Sequence, residues 1–191
     1  MAESGDFIPY EEFGRRFFEL AATPERILGA VNLLAGEPIA MGPIGVGPGR
    51  LAKVTASGAI GLATAVAIEG DLIAYRVTLP VALDFELNLQ VDTHRFHADV
   101  EIPLVLTARA AEPLHIVIDV DAPKPRQIVV NLRASGLRAS VLSLAVGVEG
   151  ELQRFIAKYV VRELEKPAIA QARTIDVGAA IDGAWQSISP G

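Results

Sequence analysis

The central part of the chain alternates between apolar and polar residues, the pattern of a strand with one buried face. From Val77 to Val91 every odd position is apolar, and the alternation resumes from Phe96 to Leu106. A run of this length far exceeds a typical strand of about 5 or 6 residues. We therefore expect long strands that twist and coil strongly.

Shorter alternating runs lie on both sides of this pair. They cover residues 60–68 upstream, and residues 114–120 and 128–132 downstream. The connections "EGD" and "AAEP" are short, which favours antiparallel neighbours in the sheet. The middle of the chain thus predicts a long, curved antiparallel β-meander.

Helical patterns flank the β region. The first runs from Pro9 to about Ala35 and restarts at Thr23, a good N-cap residue followed by Pro24. The second is "SGLRASVLSLAVGVEGELQRFIAKYVVRELEK", residues 135–166, whose apolar positions recur at spacings of three and four. Such a helix would extend on the order of 40 Å. The predicted fold class is α+β, with the meander wrapped along a long C-terminal helix and an N-terminal helix ahead of it.

Length and composition fit a single folded domain. The 191 residues are 51% apolar and 21% charged. We expect one domain over residues 1–191, with a core over 24–182 and an N-terminal helical extension over 1–23. The chain has no cysteine, which excludes disulfides and thiolate metal sites.

Net charge and hydropathy bear on partners and location. The formal net charge of −6 argues against nucleic acid as a partner. The N-terminal sequence lacks the features of a secretory signal, and no apolar run approaches the roughly 20 residues of a spanning helix. These features predict a cytoplasmic protein.

The order of elements and the segment "FIAKYVVRELEKPAIAQARTIDV" resemble the tubular lipid-binding superfamily. That group includes bactericidal/permeability-increasing proteins and synaptotagmin-like mitochondrial lipid-binding domains. The resemblance covers residues 24–182 and rests on the long strands and on a long helix that leads into a proline turn and an Ile-Asp tail. It implies a non-enzymatic protein, without a cofactor, that holds a lipid or another apolar molecule between helix and sheet.

The groove positions implied by the resemblance are the inward apolar ones. On the strands and the long helix these are Leu83, Phe85, Leu87, Ile102, Leu104, Leu106, Val148, Leu152, Phe155 and Tyr159. The same residues could instead pack on one another as a dry core. The sequence leaves both possibilities open.

A basic ridge follows the long helix. Its members recur every four residues: Arg154, Lys158, Arg162 and Lys166. Such a row is usually a solvated face, and Glu151 and Glu163 are placed to pair with it. It could also contact anionic lipid head groups or an acidic partner, so peripheral membrane contact is a second expectation.

Signals for catalysis or metal binding are weak. His94 and His97 point to opposite faces of a strand, which argues against a shared metal. The segment "MGPIGVGPGR", residues 41–50, lacks the strand-then-helix context of a phosphate loop and is interpreted as a loop or wide turn.

Two alternatives to a lipid carrier remain from the sequence. One is an enzyme of the helix-grip type, such as a polyketide cyclase or aromatase, which would need an acid–base pair in its lumen. The other is an assembly module, as a homodimer or with another protein, whose groove takes a partner helix.

Overall fold

The computed structural model describes residues 7–46, 49, 52–89, 92–133 and 139–188, with Val46 and residues 139–148 described by their backbone only. Over these residues five α-helices accompany one antiparallel sheet. The helices are α1 (Tyr10–Ala21), α2 (Pro24–Val31), α3 (Ala139–Leu164), α4 (Pro167–Ala172) and α5 (Val177–Ile188). Short 3-10 turns cover Asn32–Leu34 and Pro125–Gln127.

Among the described residues the sheet has eight strands, and it curls into a half-barrel. The strands are β1 (Pro38–Val46), β2 (Ala52–Ile60), β3 (Thr64–Ile68), β4 (Ala74–Asn88), β5 (Thr93–Ala111), β6 (His115–Asp121), β7 (Val129–Arg133) and β8 (Thr174–Asp176). The main path is β1-β2-β4-β5-β6-β8, while β3 also pairs with β4 and β7 with β5. The α+β class and the curled antiparallel sheet were therefore predicted, but the sheet is a branched meander.

The β4–β5 hairpin forms the centre of this sheet. Its two strands pair without interruption from Ala74 opposite Thr107 to Asn88 opposite Thr93. Odd positions of β4 from Tyr75 to Leu87 are buried, and the even positions are more exposed, as the alternation predicts. Each long strand pairs with two shorter strands along its outer edge. Strands β2 and β3 pair with different parts of β4, and strands β7 and β6 pair with different parts of β5.

The long helix α3 closes one half of the half-barrel. It spans 26 residues and contacts both β1 and β7, the outer strands of that half. Leu152 and Ile156 on its inner side are buried, and the Gln153 side-chain amide donates to the Ile128 carbonyl over 3.0 Å. The predicted start at residues 135–138 lies outside the described residues.

The long helix is not C-terminal, which corrects the prediction. It ends at Leu164, and α4, β8 and α5 follow it. The last helix, α5, has only 12 residues. Pro167 opens α4 instead of merely ending the long helix, because proline is well tolerated at the first helical position.

The N-terminal helices contact the sheet through the residues that lie between α1 and α2. The Thr23 hydroxyl accepts from the Arg26 amide and caps α2, as the sequence predicts. Ala22 is buried, and its carbonyl accepts a 2.7 Å hydrogen bond from the Tyr75 hydroxyl on β4. By contrast, no residue of α1 is buried.

The glycine- and proline-rich segment after Pro38 corrects a second prediction. Residues 41–46 belong to strand β1, although the sequence there favours a loop. The pairing of β1 with β2 shifts register between Met41 and Ile44. Proline is compatible with such a strand because β1 lies at the edge of the sheet, where an amide hydrogen is not needed on the outer side.

Candidate functional site

An apolar cavity of about 380 Å³ lies between the middle of the β4–β5 hairpin and α3. Its sheet walls come from β1, β2, β4 and β5, through Pro38, Ile39, Met41, Ile60, Leu79, Val81, Leu83, Val100, Ile102 and Leu104. Its helical walls come from α3 and α4, through Ile156, Tyr159, Val160, Glu163, Leu164 and Ile169. Leu34, Glu37 and Lys166 complete the lining. A volume of this size falls at the lower end of the range for small-molecule sites, about 300–1,000 Å³.

Register explains why the cavity is apolar. Leu79, Val81 and Leu83 alternate on the inner face of β4, directly opposite Ile102, Val100 and Ala98 on β5. Both strands therefore present branched apolar side chains to the same space. The cavity lies beside this central stretch of the hairpin.

The ionisable residues of the lining are few and lie mostly at the end of α3. The Lys166 ammonium is 2.7 Å from the Glu163 carboxylate, and Tyr159 lies one turn before Glu163. Burial raises the pKa of the Tyr159 phenol, and the charge and hydrogen bond of Glu163 raise it further. Tyr159 is therefore a neutral hydrogen-bond donor at physiological pH, next to an ion pair. Glu37, just before β1, is the remaining charged residue of the lining.

Four of the ten predicted groove residues line this cavity. They are Leu83, Ile102, Leu104 and Tyr159. Their convergence follows from strand alternation and from the packing of α3 over the sheet.

Four others are buried outside the cavity lining. Phe85, Leu87, Leu106 and Leu152 are all buried within the hydrophobic core. Phe85 and Leu87 lie further along β4 toward the hairpin turn, while Leu106 pairs with Tyr75 at the opposite end. The core is therefore packed at the ends of the hairpin and leaves space near its middle.

The last two predicted groove residues have different outcomes. Phe155 is half-buried and faces a groove outside the cavity. Val148 belongs to α3, but its side chain lies outside the described part of the structure.

Several lining residues were not anticipated. Leu79, Val81 and Val100 share the phase of the predicted positions, so alternation could have identified them. Ile156 and Val160 could have been found from the helical spacing. Ile39 and Met41 could not, because their segment has the composition of a loop.

The basic ridge is divided between two surfaces. Lys166 lines the cavity, whereas Arg154, Lys158 and Arg162 line a groove of about 810 Å³ on another side of α3. The opposite wall of this groove comes from the segment before and within the second 3-10 turn, residues 122–125. Tyr159 contributes to both the cavity and this groove.

A polar network lies on the outer face of the sheet, opposite the face that borders the cavity. His97 Nδ1 lies 3.1 Å from Asp84 and its Nε2 lies 3.4 Å from Asp99, while Arg133 on β7 contacts Asp99 at 2.6 Å. The Asp84 hydrogen bond raises the pKa of His97, with a further contribution from Asp99. No cluster of metal-ligating side chains occurs among the described residues. The network links β4, β5 and β7, which suits a role in strand pairing.

Comparisons with known proteins returned no relative: no family profile, curated protein or solved structure matches this chain. Among the described helices, none is both long and apolar enough to cross a membrane.

Proposed function

We propose that this protein binds a single-chain lipid or a similarly small apolar molecule in the cavity between α3 and the β4–β5 hairpin, without catalysing a reaction. The observation that supports the proposal is the 380 Å³ space lined largely by branched apolar side chains. The tubular lipid-binding relationship is part of the same proposal, and the curled sheet beside a long helix is compatible with it. A cytoplasmic location remains a prediction.

The volume limits the size of the ligand. A volume at the lower end of the range for small-molecule sites favours a ligand that places a single alkyl chain in the cavity. The hydrophobic gain of roughly 0.8 kcal/mol per buried methylene would drive binding.

The polar residues suit orientation of the ligand better than catalysis. Glu163 is engaged by Lys166, so its carboxylate is not a free base. The Tyr159 phenol donates to Glu163, and its oxygen can accept a hydrogen bond from a hydroxyl head group of the ligand. The helix-grip enzyme alternative needs an acid–base pair within the lumen, and the described lining offers no such unengaged pair.

Calorimetric titration with a series of straight-chain primary alcohols tests the proposal. Affinity should rise roughly fourfold per added methylene and stop rising when the chain outgrows the cavity. Flat affinity across the series, or no binding at all, would contradict it.

Two neighbouring helical positions supply a matched pair of variants. Val160 lines the cavity and Val161 does not. Val160→Trp should fill the space and abolish the dependence on chain length, while Val161→Trp should behave like the unmodified protein. Equal effects of the two substitutions would show that the alcohols bind elsewhere.

A further inference from the structure

The groove outside the cavity combines apolar and basic residues. On the α3 side it presents Phe155 and Val161, the latter 42% exposed, and on the facing wall it presents Pro123 and Pro125. Apolar side chains left at the surface beside cations are typical of sites that meet an amphipathic surface.

The charge of this groove opposes that of the whole protein. Among the described residues its lining includes Lys124, Arg154, Lys158 and Arg162, with Glu165 as the one carboxylate. The whole chain, by contrast, carries a net charge of −6. Arg154 is paired with Glu151 at 2.7 Å. Within the described part of the chain, Lys124, Lys158 and Arg162 form no ion pair.

The helix places these cations on one side. Arg154, Lys158 and Arg162 are separated by four residues each, or about 6 Å along the axis per step. Lys124 approaches from the opposite wall of the groove. An anionic group over the groove would therefore meet cations from two sides, with apolar contacts between them.

We propose that this groove docks the protein on an anionic lipid surface, with head-group phosphates at Lys124, Lys158 and Arg162 and the upper acyl methylenes against Phe155 and Val161. The choice of a bilayer over an acidic protein segment rests on the proposed function. Tyr159 lines both the groove and the cavity, so docking here would bring the cavity close to the membrane from which an apolar ligand comes.

Sedimentation with vesicles tests this docking. The probes are vesicles of phosphatidylcholine alone and of phosphatidylcholine mixed with phosphatidylglycerol, at low and high NaCl. Each basic residue near an anionic surface contributes a factor of about five to partitioning. Lys158→Gln combined with Arg162→Gln should therefore lower partitioning onto the mixed vesicles about 30-fold. High salt should release the unmodified protein, because exposed charges are screened.

The matched control removes two cations elsewhere. Lys53 and Arg76 are exposed on β2 and β4, and Lys53→Gln with Arg76→Gln changes the net charge by the same amount. The control should partition like the unmodified protein. Equal losses in both double variants, or equal binding to uncharged vesicles, would overturn the proposal by showing that the groove is not specific.

Absence of binding to the mixed vesicles at low salt would also overturn it and leave an acidic protein segment as the occupant to test. The alcohol titration separates this result from the cavity proposal. Both double variants should bind alcohols normally, since none of the four residues lines the cavity.

Discussion

At the scale of single residues, the Tyr75 hydroxyl connects the N-terminal helices to the sheet. It donates to the carbonyl of Ala22, both residues are buried, and burial also raises the pKa of the phenol. Tyr75→Phe leaves that carbonyl without its partner and should lower the free energy of unfolding by about 1–2 kcal/mol, measured by urea denaturation. Tyr10→Phe is the control, because Tyr10 is 95% exposed and removal of its hydroxyl leaves no buried group without a partner. An equal effect of both would contradict this assignment.

His97 makes the stability of the folded protein depend on pH, and the sign of this dependence follows from its pKa shift. Its pKa is raised in the folded protein by Asp84 first and Asp99 as well, while Arg133 contacts the second carboxylate. A histidine whose pKa is raised on folding stabilises the folded state, and this contribution is complete at pH values below the unfolded-state pKa of about 6.5. The contribution is lost as the pH rises through the folded-state pKa.

The stability difference between the unmodified protein and His97→Gln should therefore be larger at about pH 5.5 than at about pH 8.5. Urea denaturation at the two pH values measures it. His94→Gln, at a half-buried position on the opposite face of the same strand, serves as the comparison. A difference that grows toward alkaline pH would refute the ion-pair assignment.

At the scale of elements, close approach of β2 to β4 depends on one glycine. A Cβ on Gly58 would collide with the Ala82 carbonyl and press on the Leu83 side chain. Gly58→Ala should lower the free energy of unfolding by about 1–3 kcal/mol, because the strands must separate to admit the methyl group.

Gly29 provides the opposite case. It is exposed within α2, and a Cβ there would meet nothing within 4 Å. Gly29→Ala should raise stability by about 0.5–1 kcal/mol, because it reduces the entropy of the unfolded chain. Thermal denaturation of both variants gives the two signs directly. Stabilisation by Gly58→Ala would show that the β2–β4 contact is looser than described.

How far the sequence predicts these elements depends on periodicity. The alternation from Val77 onward identifies the β4–β5 hairpin and its buried face, and Thr23 with Pro24 identifies the start of α2. Strand β1 has no comparable signal, because its prolines and glycines resemble a loop and only pairing with β2 makes it a strand. The end of α3 lies two residues before the predicted end at residue 166. The sequence also predicts a short extended piece and a last helical segment within "ARTIDVGAAIDGAW", where β8 and most of α5 lie, but it gives no signal for α4.

The candidate site was only partly predictable for a related reason. Alternation identifies which residues face inward, as for Leu83 and Phe85, but not which of them meet a neighbour. Leu83 borders the cavity whereas Phe85, two residues along the same face, does not. That difference depends on where α3 lies over the hairpin, which is a tertiary property.

At the scale of the whole molecule, apolar space and positive charge lie on different sides of α3. The cavity lies between this helix and the sheet, and the basic groove lies between the helix and residues 122–125. This arrangement would let one helix both cover a ligand and contact a surface. The central claim is that the cavity is a binding site and not an unfilled packing gap.

Native mass spectrometry of freshly purified protein, followed by organic extraction, tests that claim most directly. We expect the unmodified protein to carry a discrete single-chain apolar molecule and Val160→Trp to carry none. A clean ligand-free mass for the unmodified protein, unchanged after incubation with mixed single-chain lipids, would contradict the account and identify the space as part of a dry core.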